Sequence, residues 1–196
     1  MSTPGCIYTV ARSRVSVTPG ARWESAQWRD VPPLTIAHHM GEPPAHRPVA
    51  RAKLQYDAEA IHIIFHVQDR YVLCRVPDYQ GDVCTDSCVE FFFTPGTDLA
   101  QGYFNIEASC GGTLLFTHRQ SRDEQVTDVA EKDARQLGIE HTLPSRIDNE
   151  IETPVTWEIS YRIPIQVLRT YAPVTAPGPG VQWRANFYKC ADASSR

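Results

Sequence analysis

Asp86-Ser87-Cys88-Val89-Glu90-Phe91-Phe92-Phe93 decides the fold class of this chain. Val, Phe and Cys at this density suit a pleated, half-buried backbone, and successive strand side chains point to opposite faces. Val89, Phe91 and Phe93 therefore face one way, and Cys88, Glu90 and Phe92 the other. Tyr103-Phe104-Asn105-Ile106-Glu107-Ala108 repeats the pattern, with Phe104, Ile106 and Ala108 opposite Tyr103, Asn105 and Glu107. So does Trp183-Arg184-Ala185-Asn186-Phe187-Tyr188, with Trp183, Ala185 and Phe187 opposite Arg184, Asn186 and Tyr188. Each strand offers an apolar face to a core and a second face of acids, amides and phenols. Surface strands remote from a site more often carry Lys, Thr and Ser. A shallow sheet face lined by carboxylate, amide and phenol matches the donors and acceptors of sugar hydroxyls.

Outward from these blocks the chain keeps reading as short strands. Residues 49–56 alternate, with Ala50, Ala52, Leu54 and Tyr56 opposite Arg51, Lys53 and Gln55. After a turn at 57–60, Ile61, Ile63, Phe65 and Val67 oppose His62, Ile64 and His66, so the pair reads as a hairpin. Residues 7–10 read as an edge strand, 23–48 as a proline-broken loop, and 71–83 as an irregular link carrying Tyr79. A returning strand follows the Cys110-Gly111-Gly112 turn at 113–117, and 126–137 is expected to hold a short helix. Residues 139–143 and 155–163 read as strands, the second with Trp157, Ile159, Tyr161 and Ile163 on one face. One or two helical turns are expected at 164–171. Roughly ten short strands with at most short helical turns predict an all-β, antiparallel β-sandwich of immunoglobulin-like kind.

The 196 residues suit one domain spanning 1–196, large enough to bury a core without staples. A net charge of -4 with no Lys/Arg run argues against a nucleic-acid partner. No apolar stretch approaches the ~20 residues of a membrane span. Residues 1–17 lack the apolar segment of a secretory signal, so the expected location is cytoplasmic unless a leader was removed. Cys6, Cys74, Cys84, Cys88, Cys110 and Cys190 are expected to be free thiols, mostly buried. Cys84 and Cys88 lack the second close pair of a zinc site. His62 and His66 share a strand face but stand about 13 Å apart, too far to share a metal.

Glu90 is the leading candidate for function. Its face-mates Cys88 and Phe92 are not solvent-loving, so the carboxylate is expected to be semi-enclosed and to accept charge-assisted hydrogen bonds from hydroxyls. Asn105 and Asn186 are unfavourable in strand interiors and share parity with Glu107, Arg184 and Tyr188, which points to a polar cleft. Lys189, out of step at the strand's end, is expected to reach round as a donor. Tyr79 is the expected aromatic platform, because sugar faces stack on rings. The candidate carbohydrate-binding set is Glu90, Asn105, Glu107, Asn186, Lys189 and Tyr79, with no catalytic or metal residue assigned. Two alternatives stand beside it: a glycoside hydrolase using Glu90 and Glu107 as its carboxylate pair, and a structural or interaction domain without a small ligand.

The Asp86–Phe93 block, the Tyr103–Glu107 block followed by Gly112-Thr113, and Trp183-Arg-Ala-Asn-Phe-Tyr-Lys-Cys190 resemble the signature blocks of carbohydrate-binding family 9-like proteins. These are relatives of the family 9 modules of xylanases and of DOMON-like sandwiches, and the resemblance runs from about Trp28 onward. It implies a sandwich fold and non-catalytic binding of a mono-, oligo- or polysaccharide, with Glu90 in the place of a sugar-contacting acid. It also admits a structural calcium, for which Asp69, Asp82 and Asp86 are the oxygen donors to test, although no EF-hand-like spacing is present. Family 9 modules clasp a sugar between two Trp residues; here Cys84 stands near the first, and the second would fall beyond Arg196. The ending at Ala193-Ser-Ser-Arg196, where relatives continue, reads as a truncation.

Overall fold

A computed structural model of the chain describes residues 6–39, 41–42, 44–122 and 124–194. In chain order the strands are β1 (Ala11–Arg12), β2 (Leu34–Ile36), β3 (Val49–Tyr56), β4 (Ala60–Asp69), β5 (Val72–Cys74), β6 (Cys88–Thr94), β7 (Tyr103–Ser109), β8 (Leu114–Arg119), β9 (Val126–Asp128), β10 (Glu140–His141), β11 (Ile147–Ile151), β12 (Val155–Pro164) and β13 (Arg184–Cys190). Two short helices accompany them, α1 (Glu131–Ala134) and α2 (Ile165–Tyr171). One sheet runs β1-β3-β4-β12-β10 with β2 also on β3, the other runs β13-β6-β7-β8-β9, and β11-β5 form a small ribbon. Both large sheets are antiparallel apart from the β1–β3 pair.

The period-two patterns explain the packing. Ala50, Ala52 and Leu54 of β3, Ile61, Ile63, Phe65 and Val67 of β4, and Trp157, Ile159, Tyr161 and Ile163 of β12 all enter the core. Val89, Phe91 and Phe93 of β6 and Phe104, Ile106 and Ala108 of β7 meet them from the second sheet. Phe187 of β13 stacks on Phe91 at 4.8 Å and meets Phe65 of the opposite sheet at 6.2 Å. At the β3–β4 turn, Asp57 Oδ1 accepts from the backbone N–H groups of Glu59 and Ala60, the side-chain-to-backbone bond that favours Asp in turns.

The outer face of the first sheet is closed. Trp23, Trp28, Val31 and Val17 pack with Ile64 as a second cluster over it. Lys53, on the face opposite Ala52 and Leu54, is buried there: its Nζ donates to the carbonyls of Trp23 (3.2 Å) and Trp28 (3.0 Å) and lies 4.1 Å from the Trp23 ring centroid. Gln55 and His62 are buried too, His62 pairing with Asp57 at 2.7 Å.

Several expectations need correction. Residues 7–10 form no strand; Ile7 is 92% exposed, and Tyr8 is held by its hydroxyl on the Pro32 carbonyl instead of by a ladder. The stretch expected to be helical at 126–137 begins as β9, whose Val126 and Thr127 add to β8. Only α1 and a 3-10 turn at Arg135–Leu137 follow, ended by Gly138 at φ +57°. The link at 71–83 contains β5, which pairs with β11, a strand hidden by the polar run Asp148-Asn149-Glu150. Ala185 is exposed because β13 is an edge strand there, and Trp183 is half-buried, stacked on Phe93 at 5.6 Å.

Candidate functional site

The site is built from the even residues of β6 and β13 and the odd residues of β7 and β8. Register sets Tyr188, Glu90, Glu107 and Leu115 in one row across the sheet, and Asn186, Phe92, Asn105 and Thr117 in the next. The Cys110 N–H donates to the Ser87 carbonyl at 2.8 Å, which marks those opposed residues as a hydrogen-bonded pair. By alternation, Cys88/Ser109, Glu90/Glu107 and Phe92/Asn105 fall in the closer, non-hydrogen-bonded class, whose side chains approach most nearly. Two carboxyl groups therefore stand side by side on one sheet face.

Both are recessed, Glu90 being 6% and Glu107 8% exposed. Burial pushes the Glu90 carboxyl up to about 7; the Cys190 and Cys88 thiols oppose the rise by donating to it, while the charges of Glu107 and Asp192 add to it. Glu107 is also raised, chiefly by burial, against the lowering effects of the Asn105 amide and the Arg119 guanidinium. Near neutrality the pair thus holds a proton that solvent-exposed glutamates would have lost.

Asn105 Nδ2 donates to Glu107 Oε1 at 2.8 Å. Because a carboxylate oxygen only accepts, that bond fixes the amide and leaves Oδ1 buried without a partner. Asn186 Nδ2 donates to the Tyr188 hydroxyl at 2.9 Å on the exposed side of the face. Between the two amides lies Phe92, its ring 5.2 Å from Tyr188 edge-on and 5.9 Å from Tyr103. The half-buried Phe92, flanked by Tyr103 and Tyr188, forms an aromatic strip beside the acids.

Four of the six candidate residues are brought together: Glu90, Glu107, Asn105 and Asn186. Two are not. Lys189 has the opposite strand parity and runs inward, where Nζ meets Asp69 Oδ2 at 2.8 Å with both side chains buried. Tyr79 lies beside the β8 edge, next to Gln80, whose N–H donates to the Leu114 carbonyl, and is half-buried against the core, its hydroxyl donating to the Val129 carbonyl at 2.6 Å. Sequence reasoning overlooked the Phe92 strip, although parity alone places it on the face. It also overlooked Arg119, which stands opposite Tyr103, donates to Thr117 and acts on Glu107 through its charge.

The donors suggested for calcium do not converge. Asp86 spends Oδ1 and Oδ2 on the backbone N–H groups of Arg75 (2.8 Å) and Val76 (3.0 Å), and Asp69 is taken up by His46, Arg70 and Lys189. Among the described residues no group of three or more His, Cys, Asp or Glu is arranged for a metal ion. The six cysteines are free.

A family model described as carbohydrate-binding family 9 matches residues 33–196. The chain belongs to carbohydrate-binding family 9. Among solved structures, a Bacteroides uniformis protein provisionally described as carbohydrate-binding superposes with a TM-score of 0.75 at 22% identity, covering 84% of this chain and 73% of that one. A family 9 module from Caldicellulosiruptor kristjanssonii, solved with cellotriose, gives a TM-score of 0.59 at 15% identity over 91% of this chain and 74% of its own. The same organism's family 9 module with glucose gives 0.55 at 15% identity, covering 91% and 75%. These likenesses establish a shared β-sandwich. No curated protein sequence matches. In this family 9 chain Cys84 is half-buried, and burial, with smaller additions from the charges of Glu107, Asp192 and Glu90, raises its thiol to about 11.

Proposed function

We propose that this family 9 domain binds a saccharide non-catalytically on the outer face of its second sheet. Glu90 and Glu107 accept from ring hydroxyls, Asn105 orients Glu107 and Asn186 orients the Tyr188 hydroxyl, and the Phe92 strip takes the apolar face of the sugar. The observation that carries the reading is the row that sets the recessed Glu90 and Glu107 side by side on one sheet face, with Asn105 bonded to Glu107 and the Phe92 strip alongside. Family membership and the cellotriose- and glucose-bound relatives support the same class of ligand.

The hydrolase alternative fits the geometry less well. Glycosidases place their carboxyls on either side of the scissile bond, roughly 5–9.5 Å apart. Glu90 and Glu107 rise together from adjacent strands, so a sugar lies over the pair and not between its members. A glycan-array screen run beside a reducing-end assay on the hits tests the proposal. Capture without turnover is the expected result. Turnover that disappears in Glu90→Gln would replace it with the glycosidase reading.

A further inference from the structure

Tyr79 lines a cavity of about 410 Å³ that lies off the polar face, between the β7–β8 turn, α1 and β10. Its size falls in the range of small-ligand sites. Its β8 wall includes Leu114, of opposite parity to Leu115 and Thr117, so the cavity does not share the surface of the acid pair.

The floor depends on two glycines. A Cβ on Gly111 would fall 2.5 Å from Cys74 Sγ and 2.7 Å from the Ser145 carbonyl oxygen. One on Gly112, at φ +94°, would fall 2.7 Å from the His141 ring. Bare backbone here lets His141 and the Ser145 loop close down on the turn. The walls are pinned: the Tyr79 hydroxyl donates to Val129, Thr113 Oγ1 donates to the Val76 carbonyl at 2.8 Å, and His141 Nδ1 lies 2.7 Å from the Leu143 carbonyl. A carbonyl only accepts, so Nδ1 carries the proton and Nε2 is left as an acceptor.

The charges restrict the ligand. Glu131 and Arg135 line the cavity already paired to each other at 2.7 Å, so the rim offers a carboxylate and a guanidinium with no net charge. The Gly112 and Thr113 N–H groups are spent on Ser109, at 2.9 Å each, which leaves no backbone cradle for an anion. One aromatic ring, a free imidazole acceptor and a neutral donor–acceptor pair suit a ring with one apolar face and several hydroxyls.

We propose that this cavity is a second binding site, for a neutral polyhydroxylated ring of monosaccharide size. Tyr79 stacks on the ring, His141 Nε2 accepts from one hydroxyl, and Glu131 with Arg135 engages a neighbouring pair. Two sites on one domain would favour polymeric ligands by raising effective concentration.

The test is an amide-resolved NMR titration of the full chain with D-glucose, and in parallel with glucosamine and glucuronate. Backbone amides of Gly111, Gly112 and Gly138 report the cavity, whereas side-chain amides of Asn105 and Asn186 report the polar face, so the two sites succeed or fail separately. The expected result is saturable movement of the three glycines with glucose, retained in Glu90→Gln and weakened severalfold in Arg135→Ala, an exposed substitution. Glycine signals that stay still, that lose their response in Glu90→Gln, or that move only with a charged sugar would overturn the proposal.

Discussion

Replacing Glu90 with Gln should make the protein more stable above neutrality, and the gain should vanish in acid. The folded chain raises the Glu90 carboxyl from its ordinary 4.5 to about 7, mainly by burial. Between those values the folded state holds a proton that the unfolded state has released, so stability falls as pH rises through the window. Each tenfold change in acidity is worth 1.36 kcal/mol, which makes the full penalty ~3 kcal/mol. Most of it develops between pH 5 and pH 8, leaving about 2–3 kcal/mol to be read there. Gln occupies the same volume without the charge. Urea unfolding of parent and Glu90→Gln at pH 5, 6, 7 and 8 reads the contribution of Glu90 together with its coupling to Glu107 and Asp192, because titrating groups remote from Glu90 cancel in the difference. The stability gap should open in favour of the variant as pH rises. A gap of constant size across that range would show that Glu90 is not held protonated by the fold, and the reasoning would be wrong.

Three further outcomes follow from the same structure. Sugar binding that uses ionised Glu90 as acceptor should strengthen from pH 5.5 to pH 8, by roughly tenfold or more, with proton release on binding; calorimetry in buffers of different ionisation enthalpy checks both, and a flat profile would remove Glu90 from the contact. Cys84→Trp should tighten a parent affinity expected near millimolar, about -4 kcal/mol, because a ring face of roughly 60 Å² at ~25 cal/mol per Å² adds ~1.5 kcal/mol; an unchanged constant in a folded variant would mean that position 84 does not border the sugar. Lys189→Met should cost about 3 kcal/mol or more of stability by leaving Asp69 a buried charge short of its cation, yet it should leave sugar affinity intact, since Lys189 lies on the core side of β13.

Why some of this was legible in the sequence and some was not has physical reasons. Alternation is local, so Glu90, Phe92, Asn105, Glu107 and Asn186 could be assigned to one kind of face from their parity. Register is not local. That Glu90 opposes Glu107 in the close class depends on how the 95–102 connection between β6 and β7 closes, and that the Arg119 charge acts on Glu107 depends on the next ladder. Lys189 was misplaced although its parity with Phe187 marked the core side, because its partner Asp69 comes from the opposite sheet and no pattern along β13 announces it. Tyr79 belongs to a loop, where no period fixes direction, and it turned to the Val129 carbonyl and the cavity. Alternation assigns Lys53 and Gln55 to a face but not their cover, because nothing within β3 signals the loop that carries Trp23, Gln27 and Trp28.

The central claim is that the outer face of the second sheet binds a saccharide through Glu90. Calorimetric titration at pH 8 with whichever glycan the array identifies, using parent and Glu90→Gln, tests it most directly. The account predicts a loss of about 1–3 kcal/mol, the range for a hydrogen bond to a charged group, in a variant that is folded. Parent and Glu90→Gln binding the glycan with the same constant would contradict it.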